Sequence, residues 1–300
     1  MKFILAVKRT GDCVTGTVES LNGRLKLCQV FMRVLFVCAA ISGCATPTGN
    51  SPTGSNHSFD AVLGDFKKEA LLGSKPKVAL ISAALSSRSK AFEGDTRLFS
   101  QTVSELNSVA PQLSLNNAVS SSNSFEAASK PNVRAALEAL AQTVDPQGLA
   151  IVLLSSHGGV GLLEMNSRGK DQAPLSSWEL RNWLEPLGKT KTLIIISACH
   201  SGSFIRALAA PNRIILTAAR ADRSSFGCNF ASGNTYFIEE MLKVNYSPSI
   251  SINELFSQTK TTVAARELRM RLTPPSEPQA FVGADMQAEA AKPMRELFKP

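Results

Sequence analysis

Short apolar runs alternate with helix-length amphipathic segments along the chain from about residue 75. Four of these runs are continuously apolar, and they cover residues 78–85, 149–155, 192–197 and 213–217. Strands that are covered on both faces of a sheet have this pattern. The intervening segments, residues 95–109, 132–144, 176–187 and 204–209, are typical of helices. The alternation predicts an α/β fold in which helices flank a mostly parallel, doubly wound sheet.

Further elements are predicted around this core. Residues 113–119 are a candidate short strand, and residues 235–244 and 252–269 are candidate helices. From Pro274 the proline-rich sequence predicts an irregular return to the C-terminus. We expect one folded domain over residues 75–300.

The N-terminal part of the chain has a different pattern. The apolar residues 34–41 follow Arg33 and end at Ser42-Gly43-Cys44. This run is too short to span a bilayer, which needs roughly 20 apolar residues. It resembles a signal peptide with a bacterial lipobox, which predicts a signal peptide over residues 1–43 and a lipidated Cys44. The alternatives are an ordinary secretory signal or a buried strand, and a translation start between Met1 and Met32 stays open.

Residues 44–74 are predicted to be a flexible tether because the stretch after Cys44 is rich in Thr, Ser, Pro, Gly and Asn. Ala45 and Thr46 follow the cysteine in place of an aspartate, which favours the outer membrane over the inner. The expected location is the cell envelope, with an outer-membrane lipoprotein facing the periplasm and a membrane partner bound through the lipid anchor.

Composition and charge narrow the function classes. The chain has 300 residues, of which 44% are hydrophobic and 19% charged, as expected for a globular domain with a sizeable core. Six cysteines without a C-x-x-C pair exclude a disulfide framework and a zinc ribbon. The net charge is +8, but residues 1–44 carry half of it and the rest contains no basic run. We therefore expect no nucleic-acid partner.

Reactive side chains directly follow two of the predicted strands. His157-Gly158-Gly159 comes after the second continuous run, and Cys199 comes after the third, before Ser201-Gly202. The carboxyl ends of strands are where open α/β sheets form their sites. A Cys199 thiolate with His157 as its acid and base, and an oxyanion hole built from the Gly158 and Cys199 amides, would support acyl transfer. The alternative is that Cys199 is an ordinary small buried side chain.

These motifs, together with residues 217–228, Thr235-Tyr236-Phe237 and Ser276-Glu277-Pro278-Gln279, resemble the legumain-type cysteine peptidase family of the caspase-like clan, and its bacterial branch in particular. The resemblance covers roughly residues 75–286. It implies a caspase-like three-layer α/β sandwich, a Cys199–His157 dyad, a protein or peptide substrate that is hydrolysed or transpeptidated, and no metal.

The resemblance also indicates which segment reads the substrate. Residues 222–225 match the family's pocket segment, which makes Arg223, Ser224 and Ser225 the candidate substrate-binding residues. Arg223 stands where plant and animal members usually have Glu, and an inward guanidinium would favour cleavage after Asn or Asp. Arg223 could instead pair with Asp222 at the surface. Arg88 and Arg97 are weaker candidates for the pocket.

Other enzyme classes fit the sequence less well. It contains no Gly-x-Ser-x-Gly elbow of a serine hydrolase, and no phosphate loop, metal cluster or dinucleotide fingerprint, so we expect no cofactor. Cys228 is predicted to be a buried structural thiol. The main alternative function is a non-catalytic lipoprotein that uses the peptidase fold as a binding scaffold. The sequence does not indicate an oligomeric state.

Overall fold

A computed structural model describes residues 59–68, 74–117, 127–229 and 231–300. Its strands are β1 (Val78–Ala84), β2 (Gln112–Asn116), β3 (Leu149–Ser155), β4 (Gly158–Gly159), β5 (Leu162–Ser167), β6 (Lys170–Ser176), β7 (Lys191–Ser197), β8 (Arg213–Thr217) and β9 (Gln279–Val282). Its α-helices are α1 (Phe59–Lys68), α2 (Lys90–Leu106), α3 (Lys130–Thr143), α4 (Ser177–Trp183), α5 (Ile205–Leu208), α6 (Tyr236–Glu239), α7 (Ile252–Arg269), α8 (Gln287–Ala290) and α9 (Met294–Leu297). Short 3₁₀ segments cover Glu185–Leu187, Ser201–Phe204 and Ala284–Met286, and a π-helix continues α6 over Glu240–Asn245.

Six strands form the central sheet, in the order β2-β1-β3-β7-β8-β9. All neighbours are parallel except β9, which runs antiparallel to β8. The strands β4, β5 and β6 form a separate antiparallel sheet directly after β3. The predicted α/β architecture with a mostly parallel sheet is confirmed.

The central strands are continuously apolar because helices cover both faces of the sheet. In β3, Val152 and Leu154 belong to the core cluster that includes α3 and α4 residues. Their neighbours Ile151 and Leu153 belong to the cluster that includes α2 and α7 residues. Successive side chains of a strand point to opposite faces, so each residue of β3 enters one of the two cores. The result is a three-layer arrangement.

The structure adds elements that the sequence pattern did not predict. The small sheet β4–β6 occupies a segment that had no predicted strands, and β9 lies within the expected irregular return after Pro274. Helix α2 begins at Lys90, five residues before the predicted start, because the Ser89 side chain accepts a hydrogen bond from the Ala91 N–H and caps the helix. The helix predicted over residues 252–269 has these bounds in α7.

Helix α1 corrects part of the predicted tether. Residues 44–74 were expected to be flexible, yet α1 lies within this range and packs Phe59, Val62, Leu63 and Phe66 against the core. Phe66 is buried. The signal peptide, Cys44 and the tether residues before Phe59 lie outside the described residues. Within the described ranges, no helix has the length and apolar character needed to cross a bilayer.

Candidate active site

The strand ends that carry His157 and Cys199 lie side by side. The strands β3 and β7 pair in parallel with Ser155 opposite Ser197, and the Ser156 N–H donates to the Ser197 carbonyl over 3.1 Å. The contact continues past the strands, because a Cβ atom placed on Gly158 would lie 2.3 Å from the Cys199 carbonyl oxygen. The close approach requires glycine at position 158. The topology thus brings together the backbone of the two predicted catalytic positions.

The Cys199 sulphur is surrounded by hydrogen-bond donors from residues 224–228. The Ser225 N–H donates to Sγ over 3.3 Å, and the Ser225 hydroxyl lies 3.7 Å from it. The thiol of Cys228 is the strongest partner, and it lowers the pKa of Cys199 to about 5 together with Ser225 and Ser224, against the opposing effect of burial. Donors that stabilise the negative sulphur favour the thiolate, which is the nucleophilic form of cysteine.

Cys228 has a different environment from the one predicted for it. It is only partly buried and is a free thiol, as is Cys199. The hydrogen bond to Cys199, burial and the charge of Cys199 all raise the pKa of Cys228, so this thiol keeps its proton. The prediction that Cys228 is a buried structural thiol is wrong in its burial, because the residue is only partly buried.

The imidazole of His157 is held by packing at the start of the small sheet. Its ring meets Phe92 edge to face, with 4.9 Å between ring centroids and an interplanar angle of 89°. Phe92 is fully buried in the first turn of α2. The backbone carbonyl of His157 accepts a hydrogen bond from the Glu164 N–H over 2.9 Å, which ties the residue to β5. These contacts restrict the position of the imidazole.

A cavity of about 350 Å³ opens beside His157 and Gly158. It contains Arg88, whose guanidinium donates to Glu164 over 3.0 Å and to Asp171 over 2.8 Å. The cavity therefore offers both donors and acceptors. The sequence makes Arg88 only a weak candidate for the pocket, since its position alone does not show that the loop after β1 crosses the small sheet, where Ser86 forms a bridge with Asn166. Arg97 lines a larger groove of about 830 Å³ between α2 and β2, and no predicted catalytic residue lines that groove.

The predicted substrate-binding segment runs next to Cys199. The His200 N–H donates to the Arg223 carbonyl over 2.8 Å. The Arg223 side chain is 26% exposed, and its Nη1 lies 3.4 Å from an Asp222 carboxylate that Arg220 holds more closely. The Nε atom of Arg223 is buried and has no hydrogen-bond partner among the described residues. Ser225 is buried against the Cys199 sulphur, whereas Ser224 is exposed.

Asp95 is a buried carboxyl group behind the site, and no motif or spacing in the sequence indicates its role. It accepts hydrogen bonds from the Ser155 hydroxyl over 2.7 Å, from the Thr235 hydroxyl over 2.8 Å and from the Thr235 N–H over 3.0 Å. Complete burial raises the pKa of Asp95 to about 7, although these donors act in the opposite direction. Asp95 connects α2 to the end of β3 and to the start of α6.

The first turn of α2 also touches the loop before α6 directly. A Cβ atom on Gly94 would lie 1.7 Å from the Gly233 carbonyl oxygen, so a glycine at position 94 allows the helix and the loop to meet. Phe92 of the same turn supports His157. One turn of helix therefore contacts both the loop and His157.

The residues present could hold a peptide but offer no group of metal ligands. Across residues 59–68, 74–117, 127–229 and 231–300, no three His, Cys, Asp or Glu side chains are placed to bind a metal ion. What the arrangement provides is an ionised thiol, an imidazole on the neighbouring strand end and a polar cavity. These are the components of acyl transfer through a thioester.

A comparison with models of protein families identifies the family of this chain. The peptidase C13 family, which is the legumain family, matches residues 133–288, slightly more than half of the chain. The crystal structure of caspase-1 from Spodoptera frugiperda is similar with a TM-score of 0.48 and 15% identity, over 69% of this chain and 87% of that chain. None of the curated proteins compared matches the sequence. The family match includes both reactive strand ends, and the chain therefore belongs to the peptidase C13 family and is a cysteine peptidase.

Proposed function

We propose that the protein is an endopeptidase, tethered to a membrane, that cleaves after Asn or Asp through Cys199 and His157. The observation that carries the proposal is the contact between Gly158 and the Cys199 carbonyl, which joins the His157 and Cys199 strand ends. The donors around the Cys199 sulphur add to it, since they keep the nucleophile ionised at neutral pH.

The proposed reaction proceeds in two steps. The Cys199 thiolate attacks the carbonyl carbon of the scissile peptide bond, and the Gly158 and Cys199 amides donate to the oxygen that becomes negative. Imidazolium His157 then protonates the leaving amine, which gives a thioester on Cys199 and a neutral imidazole. A water molecule deprotonated by His157 hydrolyses the thioester, or an incoming amine takes its place in transpeptidation.

Arg223 supports the preference for Asn or Asp. Its buried Nε has no hydrogen-bond partner among the described residues and only a long ion pair, 3.9 Å, to the Glu277 carboxylate, whereas buried polar groups are normally hydrogen-bonded in a folded protein. A carboxylate or amide oxygen of the substrate would supply the missing acceptor. Ser224 and Ser225, on the same segment beside Cys199, are the proposed neighbours of that side chain.

The catalytic assignment is tested by labelling the protein with a peptidyl chloromethyl ketone that carries Asn or Asp next to the reactive group. We expect one adduct, on Cys199, that disappears in Cys199→Ala. In His157→Ala we expect peptide cleavage to be lost, because the leaving amine has no proton donor. An adduct on Cys228 with Cys199 unmodified would contradict the assignment.

The specificity is tested by cleavage of a mixed peptide library. In Arg223→Glu we expect cleavage after Asp to fall more than cleavage after Asn, because two carboxylates repel each other while an amide can still donate. Arg97→Glu changes the charge in the same way in a different groove and is the matched control. If the ratio of cleavage after Asp to cleavage after Asn is unchanged in Arg223→Glu but changed in Arg88→Gln, the cavity beside His157 is the substrate pocket.

The membrane tether is proposed from the sequence around Cys44. Lipidation of Cys44 after signal cleavage would place the peptidase domain on the periplasmic side of the outer membrane. We expect the full-length protein to fractionate with membranes and Cys44→Ser to lose both the acyl chains and the processing. A Cys44→Ser protein that is still processed to the same mature length would indicate an ordinary secretory signal.

A further inference from the structure

Ser155 and Ser197 carry two buried hydroxyl groups just before the reactive residues of the chain. They are the last residues of β3 and β7, they lie opposite each other in the register of the sheet, and both are fully buried. Ser155 comes two residues before His157, and Ser197 comes two residues before Cys199. A group that holds both hydroxyls therefore holds the backbone that leads to both reactive side chains.

A single oxygen of the Asp95 carboxylate is connected to both hydroxyls. Its Oδ2 accepts a hydrogen bond from the Ser155 hydroxyl over 2.7 Å and from the Thr235 hydroxyl over 2.8 Å. The Thr235 hydroxyl oxygen lies 2.8 Å from that of Ser197. Because Thr235 gives its only hydroxyl proton to Asp95, the Ser197 hydroxyl is the donor in this last contact. The hydrogen bonds thus run from β3 through Asp95 and Thr235 to β7.

The same carboxylate also fixes the helix and the loop beside the site. Its Oδ1 accepts from the Thr235 N–H over 3.0 Å and from the Asn234 side-chain amide over 3.3 Å. Asp95 comes three residues after Phe92 on α2, so the two side chains are neighbours on one face of the helix, and Phe92 packs on the His157 ring. The Asp95 carboxyl group is therefore the point at which α2, both strand ends and the start of α6 are joined.

We propose that Asp95 is a positioning residue of the peptidase, which sets the distance and orientation of the His157 imidazole relative to the Cys199 sulphur. One connection runs through the end of β3 and the first turn of α2 to His157, and the other runs through Thr235 and the end of β7 to Cys199. Asp95 is completely buried, so it acts through these elements and does not touch the substrate. The inference rests on the proposed roles of Cys199 and His157.

A positioning role of this kind affects the rate of the folded enzyme. The strands β3 and β7 stay paired through their backbone without Asp95, since the Ser156 N–H donates to the Ser197 carbonyl. The reactive side chains lie beyond the paired residues, where the regular ladder no longer fixes their relative position. A displacement of about 1 Å between reacting groups lowers an enzymatic rate by about 100-fold. Loss of Asp95 should therefore lower kcat in the molecules that remain folded.

The test measures kcat of the full-length protein and its variants per folded molecule, on the library peptide that the wild type cleaves best. In Asp95→Ala we expect kcat to fall at least about 100-fold. Alkylation of Cys199 by iodoacetamide should keep nearly the wild-type rate, because it needs the thiolate and the Ser225 N–H but not His157. A purely structural role would lower the folded fraction and leave kcat per folded molecule unchanged, and that result would overturn the proposal.

Asp95→Asn is the conservative variant. Its amide oxygen can accept from the Thr235 N–H, while its amide nitrogen donates to the Ser155 and Thr235 hydroxyl oxygens, whose protons turn away. The spacing of the network is then kept, and we expect kcat within about tenfold of the wild type. An Asp95→Asn enzyme as slow as Asp95→Ala would contradict the positioning role, because hydrogen bonds of the same geometry would not restore the rate.

Ser155→Ala removes the connection to β3 alone. We expect kcat to fall about tenfold in this variant, and to fall no further when the change is added to Asp95→Ala, where the connection is already lost. Ser82→Ala is the matched control, because Ser82 is a fully buried serine of the neighbouring strand β1 whose hydroxyl contacts Ser114 instead. Equal kcat in Ser155→Ala and Ser82→Ala would overturn the proposal, and this comparison decides even if Asp95→Ala does not fold.

Failure of this inference can be distinguished from failure of the proposed function. Cleavage that survives in Cys199→Ala or in His157→Ala would refute the proposed function. Loss of cleavage in both of these variants, together with a wild-type kcat per folded molecule in Asp95→Ala, would refute the positioning role alone.

Discussion

Removal of the Cys228 thiol should change how Cys199 ionises. With its pKa at about 5, Cys199 is about 99% thiolate at pH 7, whereas a cysteine with the ordinary pKa of about 8.5 is about 3% thiolate. A thiolate of low pKa is also a weaker nucleophile, by roughly 25-fold to 55-fold for this difference in pKa. The larger thiolate fraction and the weaker nucleophilicity nearly cancel at pH 7. They do not cancel at acidic pH, where a cysteine with the ordinary pKa is almost entirely protonated.

This balance gives a crossing pair of pH profiles for alkylation of Cys199 by iodoacetamide. At pH 5.5 the wild type should react up to about 20-fold faster than Cys228→Ala, and above about pH 9 the variant should react faster. The donors from Ser225 remain in the variant, so the measured acid-side ratio should fall below this upper bound. Cys228→Ser keeps a hydroxyl donor and should give an intermediate profile.

The assay follows the Cys199-containing peptide by mass spectrometry after quenching at a series of times between pH 4 and pH 10. Alkylation at Cys228 is counted separately, and Cys199→Ala sets the background. A Cys228→Ala profile that superimposes on that of the wild type would refute the reasoning. It would mean that the Cys228 thiol does not stabilise the Cys199 thiolate.

Three further substitutions test other parts of the structure. Gly158→Ala should reduce activity by at least about 100-fold, because its Cβ would overlap the Cys199 carbonyl oxygen and displace the proposed oxyanion hole, whereas Gly159→Ala has open space and should be nearly neutral. Equal activity of the two variants would contradict this. The pKa of Asp95 is raised in the folded state from its ordinary value of 3.8 to about 7, so folding favours the neutral carboxyl group. The resulting stabilisation, up to about 4 kcal/mol, is complete below about pH 4 and is lost as the pH rises through 7. Denaturant unfolding of Asp95→Asn relative to the wild type should remove this decline, and a stability difference that is constant from pH 4 to pH 8 would exclude it. Phe66→Ala should lower the free energy of unfolding by about 3 kcal/mol, as for other buried aromatic residues. An unchanged midpoint of denaturant unfolding would mean that α1 does not pack on the folded domain and is part of the tether.

The central sheet could be predicted from the sequence because its strands are buried on both faces. Almost every residue of β1, β3, β7 and β8 is buried, and a strand of this kind appears in the sequence as a continuous apolar run. β9 could not be found in this way, since it is a short edge strand whose residues are only partly buried. The spacing of Phe59, Val62, Leu63 and Phe66 does carry the helical signal for α1, but the turn-rich residues before it obscured that signal.

The site shows the same division between local and distant information. His157 and Cys199 were predicted because each directly follows a strand, and parallel neighbours end at the same edge of the sheet. The effect of Cys228 on the pKa of Cys199 depends on the path of an irregular segment, and the position of Arg88 depends on a bridge to the small sheet. Asp95 depends on side chains from three elements that meet only in the folded chain. Periodicity and spacing contain none of this information.

The first turn of α2 has a consequence for how substitutions combine. Phe92 supports the imidazole of His157, and Gly94 meets the carbonyl of Gly233 in the loop that leads back to Cys228. A substitution that tilts this turn therefore shifts both the His157 imidazole and the loop around Gly233. Substitutions in α2 and in the loop around Gly233 should therefore be epistatic, which means that the effect of a double variant differs from the sum of the effects of the two single variants. A library that varies the loop around Gly233 while holding α2 fixed would sample mostly incompatible pairs, so redesign of this enzyme should vary both elements at once.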